Sequence, residues 1–421
     1  MRPVARQSLL RDATFRIYYA GQTVALFGAA VTPVVIPLVA AIGLHATGLE
    51  ASVVAAASLV PGLLFMLPVG AMVDRWPKRQ AMLRANIGEA AALWVLPVLW
   101  WLHALSVPAL CAVGFASTSF AIVAQVADQS LIPHLVDEDR LVEGNSKLAL
   151  SESAAGMVGP TAAGFLVSLV GGPLTIGLAA LGSMFSALSL ARIRSAETPI
   201  DTGGGRTGLR RQITDGLRFV AGNPILRSLM TINGVSNVFL AWIQAILTVF
   251  YVRTLHWTPP TVGVVLGVAA VGGIAGAAFA GRLHDRLGSG RLLVTAELVG
   301  APAELVVLLL RPGLGGEVLA ALAQFAAIFF SVCYSVTSRS LRQAESPDGL
   351  RSSITAAHRW VSVAVMPLGA LAGGIASTQL GLRGAIALGC AGLLASPVVA
   401  WTSPLRRLGS TDAKTEAAVT T

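Results

Sequence analysis

Long apolar runs dominate the chain, and they constrain its fold more than any other feature of the sequence. A membrane-spanning helix needs about 20 predominantly apolar residues. Of the 421 residues, 54 % are hydrophobic and only 12 % are charged, whereas about 25 % are charged in a soluble domain. We therefore predict an all-α membrane protein with twelve transmembrane helices. The predicted spans are 16–43, 50–73, 81–102, 106–133, 147–170, 173–191, 227–252, 260–283, 290–311, 316–343, 353–379 and 382–403.

Lysine and arginine are distributed unequally between the two ends of these spans. If the amino terminus is cytoplasmic, 27 of the 30 basic residues fall on the inner side, and only Arg253, Arg311 and Arg383 fall on the outer side. Cytoplasmic loops of membrane proteins carry such an excess. We expect a multi-pass protein of the cell membrane with both termini in the cytoplasm. The first apolar run is too long for the core of a signal peptide, so we expect it to be retained as the first helix.

Short motifs recur at an offset of half the chain. The sequence Gly-Ala-Met-Val-Asp-Arg at 70–75 is echoed by Gly-Arg-Leu-His-Asp-Arg at 281–286, and Pro160 is echoed by Pro367. Such an internal repeat predicts two pseudo-symmetric six-helix halves around a central cavity. The predicted divisions are an N-terminal half at 1–191, a cytoplasmic linker at 192–226, a C-terminal half at 227–403 and a cytoplasmic tail at 404–421.

The linker combines a glycine-rich segment with a basic amphipathic pattern. Leu209, Ile213, Leu217 and Val220 recur at helical spacing, with arginines between them. This pattern is typical of a helix that lies on the inner membrane surface. The glycine run at 203–208 is not followed by lysine, and no phosphate-loop motif occurs in the chain, so we do not expect transport driven by ATP.

Several classes of function find no support in the sequence. The net charge of +9 is spread over short loops rather than gathered in a patch, so we expect no nucleic-acid partner. The three cysteines stand alone, and no metal-ligand spacing or catalytic triad is visible. We expect neither an enzyme nor a metal site nor a cofactor. The expected partners are membrane lipid and a small-molecule substrate, the expected driving force is a proton gradient, and the expected state is a monomer.

A family resemblance rests on the loop between the second and third spans and on several later motifs. The loop reads Gly70-x-x-x-Asp74-Arg75-x-x-Lys78-Arg79. The later motifs are Gln129-Ser-Leu-Ile-Pro133, Leu141-Val-Glu143-Gly-Asn145-Ser146, Gly159-Pro160-x-x-x-Gly164, Ser340-Leu-Arg342-Gln343 and Arg359 with Pro367-Leu-Gly369. From about Leu9 to Arg407 the chain resembles the major facilitator superfamily, and within it the bacterial exporters typified by macrolide efflux and enterobactin export.

The resemblance implies a secondary transporter that works by alternating access. It implies proton-coupled efflux of an amphipathic small molecule such as a drug, an antibiotic or a siderophore. The alternatives are a facilitator or importer of another small solute, and a membrane protein that does not transport solutes, such as a lipid scramblase or a receptor. The repeat with a similar charged loop in both halves favours alternating access.

The charged loops are expected to act as a conformational lock between the two states of the transporter. If so, the acidic residue of each loop pairs with a neighbouring arginine or caps a helix start. The alternative is that the basic residues only set orientation or anchor lipid. The predicted lock residues are Gly70, Asp74, Arg75, Lys78, Arg79, Gly281, Asp285 and Arg286.

Carboxyl groups inside the spans are the predicted sites for protons or substrate. A charged side chain at the bilayer centre costs about 2.5–3.5 kcal/mol on insertion scales, so such residues usually face a cavity or a partner. Glu297 and Glu304, seven residues apart, share one helix face. The predicted proton- or substrate-binding residues are Glu89, Asp128, Glu152, Glu297, Glu304, Gln125, Trp242 and Arg359.

Each of these predictions has a structural alternative. For the carboxyls the alternative is a structural pair near a membrane edge, and this alternative is stronger for Asp128 and Glu152, which lie near an inner loop. Trp242 sits mid-span and either lines the cavity or packs against a neighbouring helix. Arg359 either pairs with an acid or extends to the membrane surface.

Two departures from the resemblance bear on proton coupling. Relatives often carry an acid in the first span, where this chain has Ala29 and Ala30, and an aspartate near Gln125, where the acid here is Asp128. We therefore expect coupling to rely on carboxyls elsewhere, first on Glu89 and Asp128. A separate prediction assigns helix packing to Gly159, Pro160 and Gly164.

Overall fold

A computed structural model describes residues 8–73, 76–136, 140–193, 209–347 and 350–408. Within these ranges the chain is helical and contains no β-strand. The helices before residue 193 are α1 (Ala13–Leu38, continued by a π-helical turn at Val39–Gly43), α2 (Gly48–Val73), α3 (Lys78–Trp101), α4 (Val107–Leu135), α5 (Leu141–Val170) and α6 (Gly172–Arg192). The later helices are α7 (Leu209–Gly222), α8 (Pro224–Arg253), α9 (Pro259–Leu287), α10 (Ser289–Leu305), α11 (Leu314–Ala344), α12 (Arg351–Ala364), α13 (Met366–Leu393) and α14 (Ala395–Thr402).

Side-chain caps explain where several of these helices begin. The side chain of Asp12 accepts from the backbone N–H of Phe15 at 2.8 Å and caps α1. Thr47 and Glu50 form a capping box at the start of α2, in which the Glu50 carboxylate accepts from the Thr47 backbone N–H at 2.7 Å. Asn223 caps α8 by accepting from the first free N–H groups of that helix.

Eleven helical stretches in the described part of the chain are long and apolar enough to cross a membrane. The last of them, Ser353–Thr402, is 50 residues long. As one straight helix it would measure about 75 Å at 1.5 Å per residue, more than twice the bilayer core of about 30 Å. Gly381 breaks it, with φ 68° and ψ 172°, a conformation that favours glycine. The break falls between the predicted eleventh and twelfth spans, so the helical content agrees with the predicted fold class.

The chain divides into two compact units: residues 1–45 with 57–204, and residues 46–56 with 205–421. In the first unit α1 packs on α5 and α6, while α3 packs on α4 and α6. Its core includes Phe15, Tyr18, Met82, Leu131 and Leu190, all of which are at most 2 % exposed.

In the second unit α8 packs on α13, and α11 packs on α9 and α10. Small residues permit these close contacts, as is common between membrane helices. A Cβ atom at Gly272 would lie 2.4 Å from the backbone oxygen of Phe325, and one at Gly276 would lie 2.5 Å from that of Phe329. The backbones of α9 and α11 therefore touch where the sequence is richest in glycine.

The predicted amphipathic helix is present as α7, and part of its surface packs on α8 and α12. Val220 is buried with Leu226 and Ile354, and Gly216 lies against the backbone of Ser353 at the start of α12. Burial of apolar area stabilises this contact by about 25 cal/mol per Å². The glycine-rich part of the linker, 194–208, lies outside the described residues.

Candidate functional site

In the first unit, Asp128 of α4 is bound by two side chains of α1. The hydroxyl of Tyr18 donates a short hydrogen bond to Oδ1 of Asp128, and the side chain of Gln22 also donates to this carboxylate. Glu152 on α5 is close enough to Asp128 for a charge interaction. No cation is among the contacts of Asp128 in the described part of the chain. The aspartate is therefore stabilised by neutral donors.

The same polar cluster continues from Gln22 towards α3. The hydroxyl of Ser186 on α6 donates to Oε1 of Gln22 at 3.3 Å and accepts from the amide of Asn86 at 2.9 Å. One turn earlier on α6, the side chain of Ser183 donates to the carboxylate of Glu89. Glu89 and Asp128 thus lie at opposite ends of one line of polar side chains that crosses four helices.

A second set of hydroxyls lies beside this line. The hydroxyl of Ser151 is 2.9 Å from that of Thr23 and 2.8 Å from that of Tyr19. The neighbouring carboxyl of Glu152 is exposed, and so is the amide of Gln125 on α4. These two predicted residues therefore lie on surfaces of the first unit, whereas Asp128 is partly buried.

In the second unit, both predicted carboxyls of α10 are buried. Glu304 is 3 % exposed and accepts from Nε2 of Gln324 at 3.0 Å. Glu297 is 9 % exposed and accepts from the hydroxyl of Ser396 at 2.5 Å. Each carboxyl is held by one neutral donor on a neighbouring helix.

Glu297 and Glu304 line the same small cavity, of about 60 Å³. Within the described residues, its lining also includes Ser236 and Ser331 and contains no lysine, arginine or histidine. An unpaired carboxylate is costly to bury, so its charge must be neutralised by a proton or by a cation that enters the cavity. The cavity therefore has the chemistry of a site that exchanges protons or small cations.

Arg359 lies in a larger cavity of the second unit, of about 570 Å³. Arg339, Arg342 and His358 line the same cavity. Within the described residues, none of the three arginines forms an ion pair. The cavity is strongly basic, and it brings together basic residues from two separate segments of the sequence.

Trp242 is held by packing between α8 and α13. Its indole N–H donates to the backbone oxygen of Ala385 at 2.9 Å, and its ring lies against Gly373 and Gly389. These contacts agree with the packing alternative for this residue, and they fix the ring beside two glycines that leave room for it.

The predicted lock residues are described only in part. Asp74 and Arg75 lie outside the described residues, and Gly70 belongs to the last turn of α2. The ammonium of Lys78 donates to the backbone oxygen of Val73 at 2.7 Å, and Arg79 is partly buried. In the matching segment at the end of α9, the predicted residues are all exposed: Gly281, Asp285 and Arg286.

The predicted packing motif of α5 lies against α1. A Cβ atom at Gly159 would lie 2.5 Å from the Cβ of Ala30, so the two helices touch at this point. Pro160, one residue after the contact, is partly buried, and Gly164 is buried. The contact explains why a small residue is present at 159.

Sequence reasoning placed the carboxyls but missed the residues that connect or surround them. Ser183 and Ser186 look unremarkable in an apolar helix, although their spacing of three puts both hydroxyls on one face. The same spacing of Arg339 and Arg342, followed by the adjacent His358 and Arg359, is the signal that would have indicated a basic cavity.

Comparison with known proteins identifies relatives along almost the entire chain. A family model described as "Transmembrane secretion effector" matches residues 5–420. The multidrug efflux pump Tap of Mycobacterium tuberculosis is 26 % identical over 361 residues, covering 82 % of this chain and 84 % of that protein. Tap of Mycolicibacterium fortuitum is 25 % identical over 372 residues, covering 86 % and 90 %.

Among solved structures, similar folds occur in other transporters. The nucleoside transporter NupG matches with a TM-score of 0.72 at 11 % identity, covering 92 % of this chain and 98 % of that one. A bacterial homologue of the iron transporter ferroportin, in an inward-facing state, matches with a TM-score of 0.72 at 16 % identity, covering 94 % and 99 %. At such identities the likeness shows the fold alone.

Proposed function

The chain belongs to the transmembrane secretion effector family of the major facilitator superfamily, and from this premise we propose that it is a proton-coupled exporter of an amphipathic small molecule. It is a multi-pass membrane transporter and not an enzyme. The relatives that are multidrug efflux pumps support export of drugs, and we propose that the cargo is a drug, an antibiotic or a siderophore.

The observation that carries the proposal is the pair of buried carboxyls on α10. Glu297 and Glu304 line one cavity without a basic neighbour among the described lining residues. A proton that binds there removes the cost of the charge, and a proton that leaves restores it. Proton exchange is thereby coupled to the stability of the surrounding packing, which is what a two-state transporter requires.

The first unit supplies a second pair of proton-binding residues, Glu89 and Asp128. Gln22 joins Asp128 to Ser186, and Ser183, one turn from Ser186 on α6, donates to Glu89. This arrangement supports the proposal that charge at one carboxyl affects the other. Glu152, which lies near Asp128, is the remaining carboxyl to consider within the spans of this unit.

Alternating access requires a device that favours one state until cargo and protons bind. We assign this role to the charged loop after α2 and to its repeat at the end of α9. Lys78 already binds the last carbonyl of α2, so the loop is anchored to the helix end that it follows. The charge asymmetry of the loops supports a location in the cell membrane with both termini in the cytoplasm. We propose that the protein acts as a monomer and needs no cofactor besides the proton gradient.

Inverted membrane vesicles that contain the protein test this function. A fluorescent amphipathic substrate should accumulate inside them against its gradient when the membrane is energised, and an uncoupler should abolish the accumulation. Vesicles without the protein provide the control. Equilibration without accumulation, unaffected by the uncoupler, would identify a facilitator and refute the proposal.

A further inference from the structure

The basic cavity of the second unit has the size of a ligand site. It lies between α8, α11 and α12 and is an open cavity of about 570 Å³, within the range of about 300–1,000 Å³ that small-molecule sites occupy. The smaller cavity with Glu297 and Glu304 has a separate lining. The carboxyl mechanism proposed above therefore leaves this larger space without a role.

The charge on the lining is of one sign. Arg339, Arg342 and Arg359 line the cavity, and the described lining contains no aspartate or glutamate. Arg339 and Arg342 are three residues apart on α11, so their guanidinium groups share one face and repel each other. An arginine that only snorkels reaches for the membrane surface, but Nε of Arg342 is buried and has no hydrogen-bond partner.

Two further side chains of the lining have polar nitrogens without a hydrogen-bond partner. His358 is only 8 % exposed, and its Nε2 is buried without a hydrogen bond. The amide oxygen of Asn233 accepts from Nδ2 of Asn237 at 2.9 Å and contacts the hydroxyl of Ser362. The side-chain oxygen of Asn233 therefore already accepts two hydrogen bonds. Its N–H₂ group is the part of the amide that can donate to a ligand.

A buried donor without a partner costs about 1–3 kcal/mol, and a charged group costs more. The two such nitrogens in this cavity, on Arg342 and His358, are explained at once if an acceptor with negative charge occupies it, and the amide of Asn233 is a further donor to that acceptor. Arginine suits this role because its planar donors match the oxygens of a carboxylate or a phosphate.

We propose that this cavity binds an oxyanion, a carboxylate or phosphate group, through Arg342, Arg359 and His358. The part of the inference that concerns cargo rests on the proposed export function: the exported molecule then carries an anionic group, and the basic cavity selects it. A phospholipid headgroup carries the same phosphate group, and the experiment distinguishes a soluble oxyanion from a lipid headgroup.

Binding is tested on the purified full-length protein in nonionic detergent, without a membrane gradient. The probes are inorganic phosphate and, separately, dioctanoyl phosphatidylglycerol, with dioctanoyl phosphatidylcholine as the zwitterionic comparison. We expect the Tm of the wild type to rise with probe concentration. Arg342→Gln, Arg359→Gln and His358→Gln should each weaken the apparent affinity on the order of tenfold or more.

Arg227→Gln is the matched control, because Arg227 is an exposed arginine of the same unit that does not line the cavity. It should bind like the wild type. If Arg342→Gln fails to fold, Arg359→Gln, whose side chain is exposed, carries the test. Stabilisation by phosphate identifies a soluble oxyanion as ligand, and stabilisation by phosphatidylglycerol alone identifies a lipid headgroup. No stabilisation by either probe, or equal stabilisation of wild type and all three variants, overturns the proposal.

A transport assay tests whether the exported molecule carries the anionic group. An amphipathic dye with a carboxylate and its uncharged methyl ester form a matched pair of substrates. The wild type should export the carboxylate dye faster, and Arg359→Gln should remove this preference. A protein that pumps both dyes equally and binds no oxyanion refutes this inference but not the export function. A protein that binds oxyanions but accumulates neither dye refutes the export function alone.

Discussion

The side-chain amide of Asn86 donates a hydrogen bond of 2.9 Å to the hydroxyl of Ser186 and so joins α3 to α6 inside the first unit. Ser186 in turn donates to Gln22 on α1, and Gln22 donates to the carboxylate of Asp128 on α4. Buried polar networks stabilise a protein only while every member is satisfied.

Ser186→Ala is expected to destabilise the protein by about 1–3 kcal/mol, because it leaves the Asn86 amide and the Gln22 oxygen without their partner. A fall in Tm of the purified protein measures the effect. Ser168→Ala, at an exposed serine of α5, is the control and should leave Tm unchanged. A double-mutant cycle with Asn86→Ala should give a coupling energy of about 0.5–3 kcal/mol; simple additivity would show that the bond contributes nothing.

Glu297→Gln and Glu304→Gln are expected to abolish uphill efflux while downhill exchange of substrate survives. Glutamine keeps the shape and the hydrogen bonds of the side chain but cannot take up and release a proton. Energised inverted vesicles measure the first activity, and counterflow with equal substrate on both sides measures the second. Glu317→Gln, at the partly exposed start of α11, should behave like the wild type.

The same comparison applies to Glu89→Gln and Asp128→Asn in the first unit. If single and paired neutral variants of all four carboxyls retain efflux that an uncoupler stops, the assignment of the proton to these residues is wrong. Glu152 then becomes the remaining carboxyl to test.

Asp74→Asn is expected to lower transport without loss of membrane insertion, since the lock uses charge and not shape. Transport rate divided by the amount of protein in the membrane is the measurement. Asp285→Asn should act in the same direction in the second unit. Normal export by the double variant would refute the lock.

Gly159→Val is expected to destabilise the contact between α1 and α5 by about 1–3 kcal/mol through overpacking against Ala30. Gly156→Val is a matched control on the same helix, because a Cβ at Gly156 meets no atom within 4 Å. Both changes alter helix propensity by the same amount, so the difference between their Tm values isolates the contact. Equal Tm values of the two variants would show that the close contact between Gly159 and Ala30 does not contribute to stability.

Reporter fusions are expected to place both the linker and the carboxyl terminus in the cytoplasm. A phosphatase that is active only outside the cytoplasm, fused within 203–208 or after Arg407, should be inactive. A fluorescent protein that folds in the cytoplasm should be bright at both positions. An active phosphatase at either point would overturn the count of crossings.

The positions of the helices could be predicted because a bilayer imposes a minimum length of apolar sequence, and Gly381 breaks the last helical stretch where two spans were expected. The shared face of Glu297 and Glu304 followed from helical periodicity alone. Contacts between helices distant in sequence did not follow. The indole of Trp242 reaches a carbonyl 143 residues away, and no local pattern predicts such a partner.

The basic cavity was missed for a related reason. Arg342 and His358 lie on different helices, and each alone looks like an ordinary residue near the end of a span. Only the packing of α11 beside α12 shows that both have a buried nitrogen without a partner. Sequence periodicity gives the face of a residue but not what faces it.

The bond from Lys78 to the Val73 carbonyl has a practical consequence for chemical labelling. The chain contains only three lysines, and of the other two, Lys147 pairs with Glu143 and Lys414 lies outside the described residues. A hydrogen bond to a carbonyl favours the protonated ammonium over the neutral amine, and only the neutral amine has the lone pair that reacts with acylating reagents, so the bonded lysine reacts slowly. The rate at which Lys78 is acylated during turnover, followed by mass spectrometry, therefore reports how often its bond to the Val73 carbonyl breaks.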